Sequence, residues 1–267
     1  MITRRQIFQY REIMKGLSRL YGRNKIRFVR KLISKLVRVI NVAHFVSLLP
    51  EILEPSEWLD EWYMKPFNGQ TQRIRHLVRL SDSFSPTIAI ETGTFYGTST
   101  PFLSRLVAEE TYSIEQNERF YNFAVRRLYN QSDKIKIIKG NSIVEMPKIL
   151  STISPAKHRI LAYLDAHWTE NVPTNLELQA LIDWGGPWIA VIDDFEVSID
   201  SGFAFDSYGD QIVGLEMVPK LPGLEVWVSS VNSNLETGAV RGTGYIFGPG
   251  TRNQLSELAL LDLVQIN

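Results

Sequence analysis

The sequence predicts an α/β protein: a doubly wound sheet of seven strands with helices on both faces, preceded by a basic helical extension. Three observations carry this. Short, apolar, β-branched runs alternate with helix-patterned segments from residue 71 onward. The first run opens into a glycine-punctuated turn, Glu91-Thr-Gly-Thr-Phe-Tyr-Gly-Thr-Ser-Thr100. Four of the runs end in an acid, at Glu91, Glu115, Asp165 and Asp193. Residues 1–70 read as a basic arm and a lid segment, and residues 71–267 as the ligand-binding domain.

The chain's 267 residues, 44% hydrophobic and 11% aromatic, suffice for one sizeable packed domain plus an extension. There is no cysteine, which removes disulfides, thiolate metal ligands and a cysteine nucleophile, and fits a reducing, cytoplasmic compartment. Formal net charge is zero but unevenly spread. Residues 1–40 hold twelve Lys/Arg against Glu12, a net +11, and the remainder is −11. Within that arm Ile26, Val29, Ile33, Leu36, Val37 and Ile40 fall on one helical face. Packing on the chain's own domain or on a second subunit, as in a homo-oligomer, and peripheral docking on an anionic membrane surface compete as its role. Phe8, Tyr10, Tyr21 and Phe28 could stack on bases, yet they fit helix packing equally, and nucleic acid is the disfavoured partner. The longest apolar stretch, Val39 to Leu49, is interrupted by Asn41, His44 and Ser47 and falls short of a membrane span. A secretory signal is not expected after the first arginines.

In chain order, residues 50–70 carry Pro50, Pro55, Trp58, Trp62, Pro66 and Gly69 and read as a loop-rich cover. A helix over 71–84 ends before Pro86. Thr87 to Ile90 is the first strand. Gly93 and Gly97 permit positive φ in the turn, and Thr98, Ser99 or Thr100 can cap the helix that runs to about Ala108. The turn lacks the Gly-x-Gly of a dinucleotide fingerprint, which disfavours a nicotinamide cofactor. The second strand, Thr111 to Ile114, ends in Glu115, placed to accept hydrogen bonds from ribose hydroxyls. A helix over 117–129 and a strand over 135–138 follow, closing on Gly140-Asn141-Ser142. The fourth strand, 159–164, delivers Asp165-Ala166-His167-Trp168. A helix over 174–184 leads to the fifth, 188–192, which delivers Asp193-Asp194. Carboxylates gathered at one edge repel unless a cation or proton neutralises them, and a divalent ion is the simplest expectation. Residues 195–214 follow directly and read as the acceptor-binding loop, its acids favouring a polyhydroxylated or cationic acceptor. Strands at 224–231 and 244–247 complete the seven, with Glu236 and Arg241 expected either to pair near the site or to pin the hairpin between them.

On the motif Glu91-x-Gly-Thr-x-x-Gly-x-Ser99 and the order of these strand ends, the chain resembles the class I S-adenosylmethionine (SAM) methyltransferases over residues 75–250. It is most similar to the metal-dependent O-methyltransferases of the catechol and macrocin type. The resemblance implies a Rossmann-like methyltransferase sheet whose antiparallel seventh strand inserts beside the fifth. It implies SAM contacts from Glu91, Gly93, Thr94, Gly97, Ser99, Glu115, Asn141, Ser142, Asp165 and Trp168, with Asn141 standing where the family carries an acid. It implies Mg²⁺ or a similar divalent cation on Asp165, Asp193 and Asp194. The family's lysine base is missing, and His167, beside Asp165, is its nearest replacement for taking a phenol or sugar hydroxyl proton. The implied reaction is methyl transfer to a hydroxyl of a small molecule or sugar. Two rivals stand beside it: a SAM-independent hydroxylase of the cephalosporin type on the same fold, and a non-catalytic docking protein that works through the basic arm.

Overall fold

The apolar runs are the strands of one sheet. A computed structural model describes residues 65–129, 133–166 and 172–267. The arm and the lid segment through residue 64 lie outside the described residues, as do His167 and Trp168. The strands are β1 (Ile88–Thr92), β2 (Glu110–Glu115), β3 (Ile135–Lys139), β4 (Ile160–Leu164) and β5 (Trp188–Asp193), followed by β6 (Ser207–Tyr208), β7 (Gln211–Ile212), β8 (Glu225–Ser229), β9 (Thr243–Phe247) and β10 (Leu263–Gln265). All but β6 and β7 form a sheet in the order β10-β8-β9-β5-β4-β1-β2-β3. The neighbours from β5 to β3 are parallel, and β9 runs antiparallel to both β5 and β8. The antiparallel strand therefore does insert beside the fifth. The sheet has eight strands rather than seven: β10 adds an antiparallel edge against β8, with Leu263 opposite Ser229. Three residues are too few for a period-2 pattern to show in the sequence.

Five helices are described: α1 (Thr71–Phe84), α2 (Thr100–Leu106), α3 (Glu118–Leu128), α4 (Ser142–Ser151) and α5 (Thr174–Trp184). α1 buries Leu77, Leu80 and Phe84 at helical spacing and stops at Ser85, which takes the left-handed conformation before Pro86. Asn117 and Asn141 begin α3 and α4 by accepting the backbone N–H two residues on, from Arg119 and Ile143, each at 2.9 Å. The sequence pattern does not announce α4, because Pro147 interrupts it. Strand residues alternate between the two cores. Ile88, Ile90, Ile160 and Ala162 join Met146, Leu150, Leu178 and Leu181 beneath α4 and α5. Ala89, Leu161, Ile189 and Val191 join Leu77, Leu80, Phe84 and Leu103 beneath α1 and α2. Central strands covered on both faces explain why their sequences read as unbroken apolar runs. Among the described residues no helix is long and apolar enough to cross a membrane.

Candidate active site at the carboxyl rim

β1, β2, β4 and β5 are parallel, so their carboxyl ends share one rim, and Thr92 lies level with Ile114 and Leu164. At this rim a doubly wound sheet collects ligands. Glu91 is fully buried there. Its carboxylate accepts from three hydroxyls, Ser99 Oγ, Thr100 Oγ1 and Ser113 Oγ, each at 2.5 Å. Burial raises its pKa, and the three hydroxyl donors oppose that rise. Glu91 thus fastens the start of α2 and the middle of β2 to the end of β1. The cap expected at Thr98 to Thr100 takes a different form: Ser99 stands at the N-cap without a side-chain capping bond, its hydroxyl being donated to Glu91.

Between these points the chain makes its tight turn. Gly93 has φ +80, and a Cβ there would lie 2.1 Å from the carbonyl oxygen of Asp165. Gly97 has φ +65 and packs on Leu128 and Ala124. The Thr94 hydroxyl meets Ser113 Oγ at 2.6 Å, and the Phe95 N–H donates to Glu115 Oε2 at 2.8 Å. The Asn117 N–H donates to Glu115 Oε1 at 2.7 Å. Glu115 is therefore oriented by backbone donors on both of its oxygens. Burial raises its pKa against them. Next along the rim, the Gly140 N–H bonds to the Glu115 carbonyl at 3.0 Å. Exposed Asn141 uses its Oδ1 on the cap of α4, and Ser142 is buried beneath it.

The aspartates at β4 and β5 sit in a network that sequence reasoning did not foresee. Asp193 Oδ1 lies 2.5 Å from Arg73 Nη1, with both side chains buried. Asp193 Oδ1 also accepts the Asp194 N–H at 2.7 Å. Its Oδ2 accepts Tyr163 OH at 2.7 Å and Asn68 Nδ2 at 3.3 Å. Burial alone would lower the Arg73 pKa, but Asp193 beside it carries it upward. Asp194, at φ +54, bonds the Nε of Arg241, whose Nη2 bonds Asp206. Gln70 ties the two arginines together: its Oε1 accepts from Arg73 Nη2 at 3.1 Å and from the Arg241 N–H at 3.0 Å. Asp165 is held well above the usual carboxylate range by burial first, then by Asp193 and Asp194. Glu236 does not join Arg241. Its carboxylate accepts the N–H groups of Gln72 and Arg73 and so caps α1 from outside the helix.

The structure thus brings Glu91, Gly93, Thr94, Gly97, Ser99, Glu115, Asp165, Asp193 and Asp194 to one rim. The nucleoside part of SAM fits what stands there: an acceptor-only carboxylate, Glu115, aimed by the N–H of the turn residue Phe95. A metal ion bound by all three aspartates does not fit the arrangement. Both oxygens of Asp193 are engaged, one of them by a buried guanidinium that the ion would have to displace. Among the described residues no group of three His, Cys, Asp or Glu side chains is arranged to hold a metal. The residues that sequence reasoning missed are Asn68, Gln70, Arg73 and Tyr163. Arg73 did leave a signal, because it shares the buried stripe of Leu77, Leu80 and Phe84, where an arginine needs a partner.

The family model described as Rhamnosyl O-methyltransferase/CmcI matches residues 61–208. No curated protein sequence matches the chain. Among solved structures it is similar to an O-methyltransferase from Bacillus cereus in complex with SAH, at 14% identity and TM-score 0.47, covering 66% of this chain and 80% of that one. It is also similar to the O-methyltransferase TomG from Streptomyces achromogenes, involved in tomaymycin synthesis and in complex with SAM. That likeness has 16% identity and TM-score 0.46, and covers 67% of this chain and 80% of the other.

Proposed function

The chain belongs to the Rhamnosyl O-methyltransferase/CmcI family of SAM-dependent O-methyltransferases, and from that premise we propose that its acceptor is a hydroxyl of a small molecule or sugar. The observation that carries this reading is the shared rim, where the glycine turn meets Asp165 through Gly93 and Glu115 through the Phe95 N–H. When bound, SAM supplies an electrophilic methyl group that its sulfonium releases to an oxygen nucleophile.

The chain's own residues supply the rest. Glu115 accepts from the ribose hydroxyls, held in place by the N–H groups of Phe95 and Asn117. Gly93 lets the turn close on Asp165, so cofactor and acceptor sides of the cleft are fixed to one another. Asp165 orients the acceptor hydroxyl, and His167, two residues on, takes its proton at an imidazole nitrogen as the oxygen attacks. The loop over 195–214 closes the acceptor side. It is tied to β5 through the Asp206 N–H, which donates to the Asp194 carbonyl at 3.0 Å. The family name points to a sugar hydroxyl, and the polyhydroxylated acceptor favoured by the acids of this loop supports it.

Calorimetry on the full chain tests the premise: SAH is expected to bind, and binding of NAD in its place would overturn the reading. His167→Ala is expected to depress turnover about a hundredfold or more while leaving SAH affinity nearly intact. Residues 1–40 are assigned a docking part. Their deletion is expected to leave SAH affinity unchanged, and co-sedimentation of the arm with anionic liposomes separates a membrane from a protein surface.

A further inference from the structure

We propose that Arg73 and Arg241 are the permanent counter-cations of the aspartate site, so that Asp193 and Asp194 are neutralised and oriented without a divalent ion. The inference rests on the methyltransferase reading for what the site does, but the charge arrangement stands on contacts alone. Two strand-end aspartates at one rim need positive charge, and each here has a guanidinium. Arg73 Nη1 meets Asp193 Oδ1 at 2.5 Å, with side-chain exposures of 1% and 2%. The same Nη1 donates to Tyr163 OH at 3.0 Å, and Tyr163 OH donates to Asp193 Oδ2. Arg73 Nη2 is held by Gln70 Oε1 and by the carbonyls of Arg241 and Gly242, at 3.1, 3.1 and 3.3 Å.

The guanidinium is thus fixed by partners from the N-cap of α1, β4, β5 and the entry to β9. It cannot swing aside for a metal without leaving a buried charge uncompensated. Arg241 serves Asp194 in the same way and extends to Asp206 on the acceptor loop. Gln70 joins the Arg73 guanidinium to the main chain of Arg241. Arg73 is accordingly a positioning residue: it acts on the acceptor through Asp193, whose backbone neighbour Asp194 leads into the acceptor loop. A guanidinium does here with fixed planar donors what a hard cation does with oxygen ligands, and it needs no loading.

The test uses the full chain with Mn²⁺ as a paramagnetic probe, alongside calorimetry with SAH. With the unsubstituted protein, Mn²⁺ is expected to stay free in solution. Prior treatment with EDTA is expected to leave both the SAH affinity and the thermal midpoint unchanged. Arg241→Met, which removes the guanidinium bonded to Asp194 and Asp206, is expected to tighten Mn²⁺ binding about tenfold or more. Arg73→Lys is expected to keep the thermal midpoint better than Arg73→Met, and Arg73→Met with Asp193→Asn is expected to recover part of the loss. If Arg73→Met does not fold, the Arg241 variant and the EDTA measurement decide alone. Stoichiometric Mn²⁺ uptake by the unsubstituted protein that is lost in Asp193→Asn overturns the proposal. Failure of SAH to bind would instead strike the methyltransferase reading, and leaves the Mn²⁺ result to be judged by itself.

Discussion

Gly93 lies directly on the backbone of Asp165: a Cβ at residue 93 would stand 2.1 Å from the Asp165 carbonyl oxygen and 2.7 Å from its carbonyl carbon. This single approach couples the turn after β1 to the end of β4. Gly93→Ala is therefore expected to be costly twice. Its φ of +80 adds about 1 kcal/mol of backbone strain for any L side chain, and the clash with fixed backbone adds more. The expected result is a thermal midpoint several degrees lower and SAH binding weakened at least about tenfold. A folded variant with unaltered SAH affinity would refute the coupling.

Glu115 is aimed by backbone N–H groups, those of Phe95 and Asn117 reaching one carboxylate oxygen each, in the position that meets ribose hydroxyls. Glu115→Ala is expected to weaken SAH binding by about ten- to a hundredfold, or about 1.4 to 2.8 kcal/mol. Glu115→Gln, which keeps one acceptor oxygen, should fall between. Calorimetry at fixed pH reads both.

Glu91 tests the opposite kind of acid, one whose partners are all internal. Because burial raises its folded-state pKa above the usual 4.5, its contribution to stability is fully present below that value and is lost as pH rises through the folded pKa. Glu91→Gln carries no such charge. Its thermal midpoint relative to the unsubstituted protein is expected to rise as the pH is raised above the usual carboxylate pKa of 4.5. Glu91→Leu strands the hydroxyls of Ser99, Thr100 and Ser113, and is expected to cost about 2 kcal/mol or more at any pH.

His76 sets an acid limit on the fold. It is 1% exposed, meets Tyr245 OH through Nδ1 at 3.0 Å, and has its pKa lowered by burial from 6.5 to about 4. The folded state binds fewer protons there than the unfolded chain. Stability is therefore expected to be full above about pH 6.5 and to fall by about 3 kcal/mol as pH drops toward 4. His76→Phe preserves the ring contact with Tyr245 and removes the proton. Denaturant titrations of this variant should show a markedly shallower loss across the same window. An unchanged slope would assign the acid sensitivity to other groups.

The order of the strands and the identity of the rim were legible in the chain. Buried parallel strands must be apolar on both faces, must end where a charge or glycine appears, and must be separated by helices long enough to cross back. Those demands are local, and Glu91, Glu115, Asp165 and Asp193 mark them one by one. The edge strand β10 was not legible, since three residues carry too little pattern. Helix α4 was hidden by Pro147.

The charge balance of the site belongs to tertiary structure. Nothing near Asp193 in sequence says that Arg73 lies 2.5 Å away, because the pair spans 120 residues and is closed by α1 packing on the sheet. Likewise the sequence shows Glu236 and Arg241 as neighbours. Only the packed chain sends one to cap α1 and the other to Asp194. The sequence by itself determined which residue types reach the rim, through strand length and polarity. The fold decided which charge meets which, because an ion pair depends on separation in space and on the water excluded around it, and neither is written in the spacing of residues.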